Sequence, residues 1–260
     1  MAESDDPRVY FIGAGPGDPE LLTVKASRVM AAADLVLYAG SLVSPAVVAL
    51  ARPGARVVDS APLALDETHA LLRDCAAAGG LAARVHTGDP ALYGAIAEQM
   101  ALLAAEGIPY AVIPGVTSAS AAAAAFAASF TAPEVTQTLI LTRLAGRTPM
   151  PPGESLADLA RHRAAMAVYL SAGDPEGVAE NLLAGGYPPE TPVALAHRLG
   201  WPGEKRLWTT VGELAATVRA AGVDRQTVFL VLPGQGSRTP SKLYDPDFSH
   251  ACRPARSRDT

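Results

Sequence analysis

The chain has 260 residues, 49% of them hydrophobic and 18% charged, and a formal net charge of −5. It is long enough for one large or two medium domains with real cores, its composition is that of a soluble globular protein, and its acidic balance opposes broad electrostatic binding to nucleic acid. Its two cysteines, Cys75 and Cys252, are far apart and its five histidines (His69, His86, His162, His197, His250) stand singly, which argues against disulfides, structural zinc and a metal cofactor.

The Met1-to-Pro7 start is acidic and lacks the basic and apolar regions of a secretion signal, and no apolar run is long enough to span a bilayer. A cytoplasmic protein with no membrane partner is expected. The first predicted strand, Val9 to Ile12, runs into Gly13-Ala14-Gly15-Pro16-Gly17-Asp18-Pro19. Three glycines two apart leave a backbone with almost no side-chain wall, against which a ligand could lie. The wording departs from the dinucleotide fingerprint G-x-G-x-x-G, because Asp18-Pro19 stands where the third glycine and the helix start belong. Asp18 suits the cap of a turn with Pro19 at its first position, and its charge repels phosphate. A non-phosphate ligand is favoured, with a plain Gly/Pro turn as the structural alternative.

Further short apolar strands are predicted at Leu35 to Tyr38, Arg56 to Val58, Ala83 to Thr87 and Tyr110 to Ile113, with amphipathic stretches between most of them. Such strands belong to parallel sheets covered on both faces, so the class is α/β. Two more loops follow strands: His86-Thr87-Gly88-Asp89-Pro90-Ala91-Leu92-Tyr93-Gly94 and Pro114-Gly115-Val116-Thr117-Ser118. In open α/β sheets ligands collect outside the carboxyl ends of the strands, so the three loops are expected to converge on one crevice. The Ala/Ser run from Ala119 to Ser129 reads as a buried helix.

The pattern changes near Thr131-Ala132-Pro133-Glu134, which divides an N-terminal α/β domain (1–132) from a C-terminal one (133–248). Strands are expected at Gln137 to Thr142, Met166 to Leu170, Val193 to His197, Lys205 to Thr210 and Val228 to Leu232, with helices near Ser155 to Ala164, Pro175 to Ala184 and Val211 to Ala221. The strands joined through Gly200-Trp201-Pro202-Gly203 are too close for a crossover and should form an antiparallel hairpin in a mixed sheet. A cleft between two α/β units is a usual place for a small-molecule site. The tail 249–260 reads as disordered.

The three loops at these spacings closely resemble the tetrapyrrole methylases, S-adenosylmethionine (SAM)-dependent enzymes, over about Tyr10 to Leu232. The resemblance implies two α/β domains with the cofactor between them, held largely by main-chain groups and leaving as S-adenosylhomocysteine. Carried over by position, it implies cofactor contacts at Pro16, Thr87, Gly88, Asp89, Leu92, Thr117 and Ser118, with Leu170 and Leu199 closing the adenine side. It also implies a homodimer. The residues agree with the cofactor: a sulfonium with an amino-acid tail and no phosphate needs a carboxylate such as Asp89 and amide dipoles more than an anion cradle. The structural alternative for Asp89-Pro90 is a helix cap, and the two roles can coexist.

Within the family, Tyr38-Ala39-Gly40-Ser41-Leu42-Val43-Ser44, the run from His86 to Met100 and Leu141-Thr142-Arg143-Leu144-Ala145-Gly146-Arg147-Thr148-Pro149 look like the precorrin-4 C11-methyltransferase group. Thr87-Gly88-Asp89-Pro90 and Tyr93-Gly94-Ala95 stand where the uroporphyrinogen III methylases usually carry Gly-Gly-Asp-Pro and Phe-Gly-Arg. The implied substrate is precorrin-4, a macrocycle edged with carboxylates, which Arg143 and Arg147 are expected to grip through paired hydrogen bonds. Tyr93, Glu98 and Ser41 are candidates for orienting the reaction, and no catalytic base is identified. Three alternatives stay open: cobalt-precorrin-4 as substrate, another ring position such as C17 or C20, and a non-catalytic binder of SAM or tetrapyrrole.

Overall fold

The central strands of the N-terminal half are largely apolar on both faces and need cover on both, while the Arg56–Asp59 strand is mostly exposed. In the computed structural model, which describes residues 6–245 and 247–254 except for the side chains of Ser41 and Tyr244, the five strands form one parallel sheet. The strands are β1 (Val9–Gly13), β2 (Leu35–Tyr38), β3 (Arg56–Asp59), β4 (Ala82–His86) and β5 (Tyr110–Ile113), in the order β3-β2-β4-β1-β5. Alternation along the strands sends Ile12, Val36 and Val85 to one face, against Ala26 and Met30 of α1 (Val24–Ala32). It sends Val9, Phe11 and Leu37 to the other face, against Leu72 of α3 (Leu65–Ala77) and Leu103 of α4 (Ala97–Ala105). Phe11, Leu72 and Leu103 are fully buried, each stabilising the layer by about 1.5–3 kcal/mol.

Local signals start the helices. Thr23 Oγ1 accepts from Ala26 N (3.2 Å) at the head of α1, and Ser44 caps the single turn α2 (Pro45–Val48). Asp18 caps the 3-10 turn Pro19–Leu21 by accepting from Glu20 N (2.9 Å), with Pro19 at the first position as the sequence suggests. The Ala-rich run forms α5 (Ser118–Ala125), shorter than its composition suggests because Ala127 turns left-handed at φ +49° and closes the helix end.

The second half holds β6 (Leu139–Arg143), α6 (Leu156–Ala160), β7 (Ala165–Tyr169), α7 (Pro175–Ala184), β8 (Pro192–His197), β9 (Lys205–Thr210), α8 (Leu214–Ala221) and β10 (Thr227–Val231). Its sheet runs β6-β7-β10-β8-β9; β6 pairs parallel with β7, and β10 antiparallel with it, so the sheet is mixed. Met166, Val168, Leu182, Leu195, Val218 and Phe229 fill its core. Helix α6 ends four residues before the expected Ala164, because Arg163 takes φ +48°.

By internal packing the chain forms two units, Met1–Ala122 with His197–Lys205, and Ala123–Ala196 with Arg206–Thr260. The segment linking β8 to β9 thus folds with the N-terminal sheet. In the terminal segment, His250 and Arg253 form an antiparallel bridge, while residues 255–260 lie outside the described residues. Among the described residues no helix is long and apolar enough to cross a membrane.

Candidate functional site

Strands β4, β1 and β5 are neighbours, so the loops leaving their carboxyl ends are forced together. Loop one (13–19) and loop two (86–94) are joined by backbone: Ala14 N donates to His86 O (2.7 Å), Gly88 N to Gly15 O (2.7 Å) and Gly15 N to Gly88 O (3.2 Å). Loop three (114–118) is tied in by Asp89, whose Oδ2 accepts from Gly115 N (3.0 Å) while Oδ1 accepts from Ala91 N (2.8 Å). Each carboxylate oxygen has further lone-pair capacity. Asp89 is therefore a strut between two loops first, and a ligand group with what remains.

The glycines serve this junction more than an open ligand wall. A Cβ on Gly13 would stand 2.5 Å from Gly115 Cα and 2.7 Å from Gly88 O, and one on Gly115 would stand 2.7 Å from Gly13 Cα. Gly17 has no room for a Cβ because Trp201 and Leu199 O, the latter at 2.6 Å, lie on it. Gly88 differs. It adopts φ +61°, and a Cβ there would meet only Ser118 N and Thr117 Cα at 3.8 Å and Val116 O at 4.0 Å, so its requirement is conformational.

In the first unit Pro16 and Leu199 are buried, Thr87, Asp89, Leu92, Thr117 and Ser118 are half-buried, and Gly88 is buried with its Cβ position facing loop three. Tyr93 is no core aromatic: it is 46% exposed at φ +57°, two residues before Ala95 at φ +48°. Non-glycine residues in this region are strained and cluster at functional sites. Glu98 is exposed in the first turn of α4. Ser41 lies on the 3-10 turn Gly40–Leu42, and its side chain falls outside the described residues.

In the second unit Leu170, just past β7, is 70% exposed at φ +55°, an apolar side chain that buries little in a costly conformation. Arg143 commits its guanidinium to its own loop: Nη1 donates to Leu144 O (3.2 Å) and Thr148 O (3.1 Å), and Nη2 to Pro149 O (3.0 Å). Arg147 is exposed and has no hydrogen bond or ion pair among the described residues. The first arginine braces the loop that presents the second.

Beneath loop two lies a polar network that the sequence did not disclose. Arg84, 8% exposed in mid-strand, donates from Nε to Gln99 Oε1 (3.0 Å) and from Nη1 to Ser60 Oγ (2.9 Å). Gln99 Nε2 in turn donates to Ala95 O (2.9 Å), pinning the strained Tyr93–Ala95 turn. Burial lowers the Arg84 pKa to about 10, so it stays charged at neutral pH. His86, 4% exposed, is pushed down to about 3 by burial and then by the Arg84 charge, and its Nε2 has no partner among the described residues. Its folded pKa is thus below the ordinary value of 6.5, so the unfolded chain binds the extra proton. Stability from this group is fully present above pH 6.5 and declines as pH falls towards 3. Urea unfolding should register a loss of about 2 kcal/mol from His86 between pH 7 and 5, absent from His86→Phe. An equal slope in both proteins would refute this.

The model of the tetrapyrrole (corrin/porphyrin) methylases matches residues 8–215. The chain belongs to this family. It is 46% identical over 249 residues to the precorrin-4 C(11)-methyltransferase of Pseudomonas aeruginosa, covering 95% of this chain and 98% of that one. An X-ray structure of a cobalamin biosynthetic enzyme, cobalt precorrin-4 methyltransferase, superposes with a TM-score of 0.84 at 46% identity, covering 86% of this chain and 94% of that one. The uroporphyrin-III C-methyl transferase of Thermus thermophilus, complexed with S-adenyl homocysteine, gives 0.72 at 32% identity, covering 86% and 92%.

For this tetrapyrrole methylase the sequence located the three loops but not what fastens them. The lone arginine in the apolar strand Ala82–His86 was the available signal for the Arg84 network. The indole of Trp201, which donates from Nε1 to Pro16 O (2.9 Å), had only the flanking glycines as a hint. Among the described residues no three His, Cys, Asp or Glu side chains are grouped to hold a metal ion.

Proposed function

We propose that this methylase transfers a methyl group from SAM to C11 of precorrin-4, giving precorrin-5 on the route to cobalamin. The observation that supports it most is the 46% identity, over nearly the whole of both chains, to a protein named for that reaction. The junction of loops one to three fits the cofactor in kind: it offers backbone groups, hydroxyls and a carboxylate with spare lone pairs, around a glycine of loop two whose Cβ position faces loop three without crowding.

When bound, SAM supplies an electrophilic methyl on a sulfonium. Main-chain groups beside Pro16 and Gly88, the Thr87, Thr117 and Ser118 hydroxyls and Asp89 bind the polar parts of the cofactor, and Leu92, Leu199 and Leu170 take its apolar surface. Arg147, on the loop braced by Arg143, holds substrate carboxylates. The attacking carbon draws its electron pair from conjugation with a ring nitrogen of the macrocycle, so no protein nucleophile is required. Alignment of methyl and carbon supplies most of the acceleration, worth up to about 7–11 kcal/mol in favourable systems. Tyr93, exposed in loop two, and Glu98, exposed in the first turn of α4, orient the substrate, and Ser41 is a third candidate for that role.

Incubation with SAM and either metal-free or cobalt-loaded precorrin-4, followed by mass and NMR mapping, tests the reading. A new methyl at C11 is expected. A methyl at C17 or C20 would reassign the position, and binding of both ligands without turnover would make the protein a carrier or sensor. The same reading includes a cytoplasmic homodimer, and a monomer by sedimentation at micromolar concentration would remove the dimer without touching the activity.

A further inference from the structure

We propose that Trp201 is a positioning residue for the cofactor loop, holding loop one in its binding shape and sensing its occupancy. The inference rests on the reading of loop one as part of the SAM site. The indole Nε1 donates to the carbonyl of Pro16 (2.9 Å), 185 residues away in sequence. Two glycines, one on each segment, make room for the approach: a Cβ on Gly17 would overlap the indole, and one on Gly200 would overlap the backbone of Asp18, 3.0 Å from its Cα. A flexible polar side chain could have capped Pro16 O without either glycine. The arrangement instead lays a flat, rigid ring on the loop backbone.

The ring is firmly mounted. Trp201 N donates to Arg198 O (3.0 Å), Glu204 N to Trp201 O (3.2 Å) and Gly200 N to Glu204 Oε2 (2.7 Å), which closes the turn on itself. The Arg198 guanidinium sits over the ring, 5.5 Å from its centroid, an attractive placement for a cation on an aromatic face. Arg198 holds a left-handed φ of +52°, and its buried Nε has no hydrogen-bond partner among the described residues. Backbone strain and an unsatisfied donor persist where the surroundings over-determine them. Both accompany a cation placed over a ring that also bonds to Pro16 and lies on Gly17 of loop one. The indole is half-buried, so a ligand settling on the loop changes the surroundings of a chromophore already bonded to it.

The chain has two tryptophans, and Trp208 packs on Phe126, centroids 5.0 Å apart, in the second unit. A Trp208→Phe background therefore isolates Trp201 emission. Titration with S-adenosylhomocysteine should give a saturable change in that emission with a midpoint equal to the calorimetric Kd. Trp201→Phe keeps an aromatic ring but loses the donor, and one net hydrogen bond corresponds to roughly three- to ten-fold weaker binding. The loss should fall on KM for SAM and not on KM for the tetrapyrrole. If calorimetry shows no binding to the unaltered protein, the cofactor reading itself fails. If the unaltered protein binds, then silent Trp201 emission at saturation, or unchanged affinity in Trp201→Phe, overturns the role given to Trp201. The emission measurement stands even where Trp201→Phe does not fold.

Discussion

Gly115→Ala is expected to abolish S-adenosylhomocysteine binding and to destabilise the protein more than any other single glycine-to-alanine change in loops one to three. Its new Cβ would overlap Gly88 O and stand 2.7 Å from Gly13 Cα and 2.8 Å from Gly13 C. All three are backbone atoms, one in loop two and two at the end of β1, so no side chain can swing aside and the loops themselves must part. Overpacking of that kind costs about 1–3 kcal/mol and sometimes more. Gly88 O accepts from Gly15 N, and Gly115 N itself donates to Asp89, so both junction bonds are disturbed and the damage to binding exceeds the damage to stability. Gly88→Ala tests a different term. Its Cβ has room, and the cost is the left-handed conformation alone, about 1–2 kcal/mol. Gly146→Ala, with no atom within 4 Å of its Cβ position, should be close to neutral. Urea unfolding and calorimetry on the three variants check the order. Binding retained in Gly115→Ala would show that the junction is not the ligand site.

What the sequence made legible follows from how far each cause reaches along the chain. Apolar strand runs, the Asp18–Pro19 cap and the glycine-bearing loops after β1, β4 and β5 are local signals, and the sheet order then forces those loops together. Asp89 was legible as a polar group at a ligand loop, but its bond to Gly115 N spans 26 residues and has no local pattern. Trp201 on Pro16 is the extreme case, since neither segment's composition names the other. Arg143 and Arg147 look equivalent in sequence, four residues apart. They differ only because the loop carbonyls of Leu144, Thr148 and Pro149 turn towards Arg143. Ala127 ending α5 illustrates the reverse limit: helix propensity favours continuation, and the left-handed turn is imposed by the chain's path beyond it.

That difference between the arginines sets the last expectation. Arg147→Ala should weaken tetrapyrrole binding by about ten-fold to over a hundred-fold, the range of a charge-assisted hydrogen bond of about 1.5–3 kcal/mol, and leave S-adenosylhomocysteine affinity unchanged. The full range applies only if the bound macrocycle excludes water from the pair, because an exposed ion pair is worth about 0–1 kcal/mol. Arg147 is exposed and unpartnered among the described residues, so the substrate itself must provide the cover, and raising salt should shrink the difference between variant and parent less than it would for a surface pair. Arg143→Ala should behave otherwise. Losing three donors to carbonyls of the loop loosens the segment that carries Arg147, so thermal stability and substrate affinity should fall together. Arg143→Lys should not restore them, since one ammonium lacks the fork that reaches those carbonyls. Substrate KM, cofactor Kd and Tm for the three variants decide the matter. If Arg147→Ala methylates precorrin-4 at C11 with unaltered kinetics, the guanidinium belongs to a solvated loop and the substrate carboxylates are held elsewhere.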